Sequence, residues 1–153
     1  SLELPADSPV ELPPDMQASI AGLLGVQAEW IGRGGEDVLV VFKQADDVRQ
    51  LQPDLALLKT LPFRGLIVTA PGDEDGVDCV SRFFAPAAGI PEDPITGSAH
   101  CLLAVYWGQR LGRRTLRGYQ ASARTGVVDM ALSGSRVILS GLAKTVLTGE
   151  FHG

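Results

Sequence analysis

Ser98-Ala99-His100-Cys101-Leu102-Leu103-Ala104-Val105-Tyr106-Trp107 is the stretch on which the fold turns. It holds no charged residue and is apolar on every side of a 3.6-residue turn. A helix with no polar face is buried all round. The spacing therefore predicts a central helix, flanked at its end by Gly108 and Gly112. With Gly108 the run is about half the ~20 residues that a membrane crossing needs.

Outward from that helix, the chain reads as strands on both sides. Leu2 to Leu4 and Val10 to Leu12 alternate and read as one extended strand crossing Pro5 and Pro9. Pro13-Pro14-Asp15 opens a short helix with Ile20, Leu23 and Leu24 inward and Gly22 or Gly25 at its end. Val26 to Arg33 and Val38 to Phe42 form a hairpin across Gly34-Gly35-Glu36-Asp37. Ala45 to Leu51 and Asp54 to Leu61 are short helices, the second capped by Asp54. Gly65 to Ala70 and Val77 to Phe84 form another strand pair. Beyond the central helix come strands over Thr115–Ala123, Val127–Leu132, Val137–Leu139 and Ala143–Phe151. Tight turns join most of the strands, which excludes a doubly wound parallel sheet. The expected class is α+β: a curled mixed, largely antiparallel sheet wrapped around a central apolar helix.

The chain has 153 residues, 45% hydrophobic and 20% charged, which suits one domain over residues 1–153. No basic-then-apolar leader is seen, and no membrane span is expected. A net charge of −5 argues against nucleic acid as a partner. Acids crowd Asp73 to Asp93, while Pro94 to Val128 holds only arginines: Arg110, Arg113, Arg114, Arg117 and Arg124. These are either solvated surface or an anion-attracting rim. Two cysteines, Cys79 and Cys101, give neither a disulfide framework nor metal spacing. No metal and no cofactor are expected, and a reduced, cytoplasmic setting is.

Chemistry concentrates in Gly89-Ile90-Pro91-Glu92-Asp93-Pro94-Ile95-Thr96-Gly97-Ser98. A proline-stiffened loop carries two carboxylates into a helix N-terminus, whose free N–H groups and dipole attract a carboxylate or phosphate. Gly97 would let an anion come close, Ser98 could cap or donate, and Asp93 could accept or relay a proton. The plainer reading also stands: Asp93-Pro94 as a turn, and Thr96 or Ser98 as a cap. His100 reads as a hydrogen-bonded core histidine and Cys101 as a small core residue. Tyr106 and Trp107 read as core or interface anchors. Gly32-Arg33-Gly34-Gly35 lies between strands and fails as a nucleotide loop.

Several segments together resemble the PhzF-like phenazine-biosynthesis family. They are Ser81-Arg82-Phe83-Phe84-Ala85-Pro86, the run from Gly89 through Asp93-Pro94-Ile95-Thr96-Gly97-Ser98-Ala99-His100-Cys101, then Tyr106-Trp107 and Leu111-Gly112. Leu66 to Ala70 and Gln120-Ala121-Ser122-Ala123-Arg124 extend the likeness more weakly. After that arginine the family often has two glycines; here Thr125-Gly126 stands. The resemblance implies a diaminopimelate epimerase-like fold of two similar lobes with the active site between them. It implies a cofactor-independent isomerase that moves a proton on a small carboxylate substrate.

Carried over by position, Asp93 and Ser98 are the catalytic residues. Thr96, Gly97, Ser98 and Ala99 are the substrate contacts. The family's general-base glutamate and glycine-histidine motif belong to the first lobe and find no match here. Glu92 does not take that role. The resemblance thus implies a C-terminal lobe, inactive alone, whose partner is the N-terminal lobe of the same protein. Self-association into a homodimer is the other expected use of the exposed face. The competing reading is a non-catalytic binding or regulatory module that keeps the fold.

Overall fold

The computed structural model describes residues 1–146 and 148–150. In chain order the elements are β1 (Leu2–Pro5), β2 (Val10–Glu11), α1 (Pro14–Leu24), β3 (Trp30–Gly34), β4 (Asp37–Val41), α2 (Ala45–Gln50) and α3 (Leu55–Leu58). They continue with β5 (Gly65–Pro71), β6 (Cys79–Phe84), α4 (Gly97–Leu111), β7 (Thr115–Gln120), β8 (Gly126–Ser133) and β9 (Arg136–Ser140). The strands form one nine-stranded sheet in the order β1-β9-β8-β7-β6-β5-β4-β3-β2. Neighbours are antiparallel except β4 with β5 and β6 with β7. At both of those junctions helices intervene in the chain, as a parallel pairing requires; α1 also lies between the antiparallel neighbours β2 and β3.

The strand order demands curvature. β1 and β2 are opposite edges of the sheet, yet only residues 6–9 separate them. Laid flat at ~4.8 Å per strand, the edges would lie ~38 Å apart. The linker, at ~3.6 Å per residue, reaches no more than ~18 Å. The sheet therefore curls until its edges approach. This corrects the expected single strand through Pro5 and Pro9: Pro5 ends β1, and the chain crosses to the other edge. Ala6 N–H still bonds Ser135 beside β9, whereas Leu12 N–H bonds Ile31 on β3.

Burial explains the two kinds of strand pattern. β4, β5 and β6 are covered on both faces. Leu39, Ile67 and Phe83 point to the face shared with α4. Val40, Val68 and Phe84 point to the face shared with α1, α2 and α3 through Ile20, Val48 and Leu58. Continuous apolar runs follow from double coverage. In β7 the burial alternates, with Leu116, Gly118 and Gln120 inward and Thr115 and Arg117 in solvent. α4 packs on β7, β8, β9 and β1. Its residues Ala99 to Gly108 are all buried. Trp107, 1% exposed, donates its indole N–H to Thr69 Oγ1 at 3.1 Å. Burying a side chain of this kind stabilises by about 2–3 kcal/mol.

Two expectations change at the C-terminal side. Gly108 lies inside α4 rather than ending it; a Cβ there would stand 2.6 Å from Leu132 Cδ1, so glycine sets the close approach of helix and β8. Gly112, with φ 65°, ends the helix. The strand expected over Ala143–Phe151 is absent from 143–146 and 148–150, and Phe151 lies outside the described residues, as does His152. The edge of β9 is already taken by β1, and Leu142 and Val146 are exposed. Among the described residues no helix is long and apolar enough to cross a membrane.

Candidate functional site

The loop between β6 and α4 is anchored before it reaches its chemistry. Arg82, 8% exposed, sends Nη1 to the carbonyls of Val48, Arg49 and Leu51 at the end of α2. Its other edge holds Glu92, with Nε to Oε1 at 2.7 Å and Nη2 to Oε2 at 3.1 Å. Glu92 is thereby occupied by a structural ion pair. The next residue, Asp93, donates its N–H to the Phe83 carbonyl at 3.0 Å.

Asp93 and Thr96 face each other across a tight turn. Thr96 Oγ1 donates to Asp93 Oδ2 at 2.5 Å. Thr96 N–H donates to Gln120 Oε1 at 2.9 Å, and Gln120 Nε2 donates to the Asp93 carbonyl at 2.7 Å. The Thr96 carbonyl accepts from two nitrogens of His100, the backbone N–H at 3.2 Å and Nδ1 at 2.7 Å. A carbonyl only accepts, so Nδ1 carries the ring proton. Nε2 is then a buried acceptor with no partner among the described residues. Burial holds the His100 pKa below its ordinary 6.5. Thr96 is 7% exposed. Counted in the sequence among the ligand contacts, it here directs its donors at Asp93 and Gln120.

The turn after β7 supports the same loop. Ser122 Oγ donates to the Pro94 carbonyl at 2.8 Å and accepts from Thr125 N–H at 3.2 Å. Thr125 has φ 53°, a backbone that favours glycine. Gly126 leaves room for Ile95, whose Cδ1 would stand 2.1 Å from a Cβ there.

α4 starts at Gly97, and its first turn has unused donors. The N–H groups of Gly97, Ser98 and Ala99 have no carbonyl behind them and take no other hydrogen bond among the described residues. Thr96 makes no side-chain cap. A Cβ at Gly97 would meet Leu4 and Leu139 at an ordinary 3.7 Å, so packing does not demand glycine there. Ser98 is exposed. Its Oγ accepts from Arg64 Nη2 at 3.1 Å. Arg64 is clamped by the buried Asp37, with Nε to Oδ1 at 3.0 Å and Nη2 to Oδ2, and lies over the Phe83 ring. Asp37 keeps the Arg64 guanidinium above its ordinary pKa.

The arrangement thus offers a carboxylate, a hydroxyl, a cation and three backbone donors around one helix start. Arg64 and Gln120 are the participants that the sequence did not single out. Arg64 stands alone before a strand, and Gln120 is one alternating position of β7; no local spacing ties either to Ser98 or Asp93. The cysteines play no part in it. Burial pushes the Cys79 thiol up to about 12 and raises that of Cys101, with Asp7 adding to the latter. The charged runs do not make one rim. Arg113 pairs with Asp78, Arg117 with Asp129, and Arg110 with Glu29, while Asp73 and Glu74 pair with Arg49. Among the described residues no group of three His, Cys, Asp or Glu gathers as a metal cluster.

Similarity to known proteins extends over the whole of this architecture. The model of a family described as phenazine biosynthesis-like protein, PhzC-PhzF, matches residues 1–149. A Pseudomonas aeruginosa protein described as an uncharacterized isomerase is 43% identical over 151 residues, 99% of this chain and 56% of the relative. One from Halalkalibacterium halodurans, described in the same words, is 38% identical over 149 residues, again covering 56% of the relative. The crystal structure of a PhzF-family phenazine biosynthesis protein from Enterococcus faecalis matches with a TM-score of 0.86 at 39% identity, over 99% of this chain and 56% of that one. The chain spans about half the length of the curated relatives it matches.

Proposed function

The chain belongs to the phenazine biosynthesis-like (PhzC-PhzF) family, and from that premise we propose that it is the C-terminal lobe of a two-lobed isomerase. In this reading residues 1–153 are one domain, a curled sheet wrapped around α4, and a second lobe of the same protein closes the site. The relatives' greater length and the description of two of them as isomerases support it. The substrate is a small carboxylate, and the reaction moves a proton at a carbon next to it.

The chemistry follows from the helix start. The N–H groups of Gly97, Ser98 and Ala99 and the Ser98 hydroxyl hold the substrate carboxylate. When a proton leaves the neighbouring carbon, negative charge grows on those oxygens, and fixed donors stabilise it more than the ground state. Asp93 gives or takes the proton, and the general base comes from the other lobe. This step needs side-chain proton transfer alone, without a cofactor. The single observation that carries the reading is the Asp93 carboxylate held beside the unused first turn of α4. The turn at Thr125 keeps the left-handed backbone that glycine would adopt, so the replacement gives little weight to a non-catalytic module.

Solvent-deuterium incorporation into amino and cyclic carboxylic acids, followed by mass spectrometry on the two-lobed protein, tests the proposal. Asp93→Asn should slow exchange by about 10²–10⁴-fold, the usual worth of a positioned acid or base. Undiminished exchange in that variant would remove Asp93 from the mechanism.

A further inference from the structure

We infer that Gln120 is a positioning residue that selects, through Thr96, which oxygen of Asp93 does the chemistry. The inference rests on the reading of Asp93 as the proton-handling group. Gln120 is distant in sequence from the loop and is 1% exposed. Its amide is used at both ends: Oε1 accepts from Thr96 N–H at 2.9 Å, and Nε2 donates to the Asp93 carbonyl at 2.7 Å. One side chain thus bridges the first and last residues of Asp93-Pro94-Ile95-Thr96.

The same Nε2 lies 3.3 Å from Thr96 Oγ1. An amide nitrogen only donates, so Thr96 Oγ1 accepts there. The single hydroxyl proton is left pointing at Asp93 Oδ2, at 2.5 Å. Oδ2 is therefore occupied. Oδ1 accepts no hydrogen bond among the described residues and is the oxygen free to meet a substrate. Removing the amide's donor would undo the arrangement. In Gln120→Glu a carboxylate oxygen would replace Nε2, and the Thr96 proton would gain a competing acceptor. Asp93 would lose its anchor while the volume at position 120 stayed the same.

Two readouts test this. On the two-lobed protein, solvent-deuterium exchange should show kcat reduced about 10- to 100-fold in Gln120→Glu and Thr96→Val with KM unchanged, since misplacing a reacting group by ~1 Å costs up to ~10²-fold. Thr96→Ser, which keeps the hydroxyl, should restore most of the rate. The double variant should be little worse than either single one, because both act on one hydrogen bond. On the present chain, carbon-13 labelling of the aspartate carboxyls should show the Asp93 resonance moved in Gln120→Glu and Thr96→Val and near its original place in Thr96→Ser. If wild-type protein exchanges with none of the acids, the isomerase reading fails, and the carboxyl resonance still decides the positioning role. An Asp93 resonance unmoved in both variants overturns the inference. So does a rate loss that only tracks the fraction of protein unfolded. Should Gln120→Glu fail to fold, Thr96→Val with its serine rescue decides alone.

Discussion

Thr96 shows how one residue can be legible in type and not in use. A threonine before a helix ordinarily bonds the N–H of the second or third residue, a contact worth about 1 kcal/mol. Here the hydroxyl turns to Asp93 and makes no cap. The helix start forgoes that bond and keeps its N–H groups open. Spacing alone leaves both cap and chemistry open and leans to the cap, because what decides between them is Gln120, which lies far along the chain. His100 was legible as a core histidine, and its buried Nε2 has a measurable consequence. Its pKa in the fold lies below the ordinary 6.5, so below pH 6.5 the unfolded chain takes up a proton that the fold does not. Stability then falls with falling pH, by about 1.4 kcal/mol per pH unit until the folded value is reached. In His100→Gln, urea unfolding between pH 6.5 and 5.5 should show a flatter slope than wild type; an unchanged slope would mean that His100 is protonated in the fold.

Among the elements, α4 was the clearest in the sequence, because an all-apolar surface leaves no choice of face. Strands covered on both faces were nearly as clear. The strand partners were not. Alternation in Leu2 to Leu12 says that residues are extended, but nothing in it tells that β1 joins β9 and β2 joins β3 at the far edge. The strand expected over Ala143–Phe151 is missing from its described residues for the same reason, since alternation supplies no edge to pair with. The β6–α4 loop is held by side chains whose reach is invisible in sequence, Arg82 among them. Arg82 ties Glu92 to the end of α2 and so fixes where Asp93 begins. Arg82→Ala should lower stability by about 2–4 kcal/mol, because it strands a half-buried carboxylate and three carbonyls. Chemical denaturation measures this; a loss below ~1 kcal/mol would show that the loop is held by its own prolines.

At the scale of the whole molecule, the short linker between β1 and β2 makes a nine-stranded sheet curl until its two edges approach. The site lies where that curled sheet meets the start of α4, with Asp93 and Ser98 partly or fully open to solvent. The family was readable from the run around Asp93 to His100, and a curled mixed sheet from the strands on either side of it. The general base was not readable, because the proposed reading places it outside this chain. The chain covers 56% of the Pseudomonas aeruginosa relative and of the Enterococcus faecalis structure, the share that the proposal assigns to one lobe of two. The most direct test compares solvent-deuterium exchange by this chain alone with exchange by the two-lobed protein, using the same carboxylic acids at equal concentration. The two-lobed reading predicts exchange by the two-lobed protein and none by the chain alone. Equal exchange by the chain alone would contradict it.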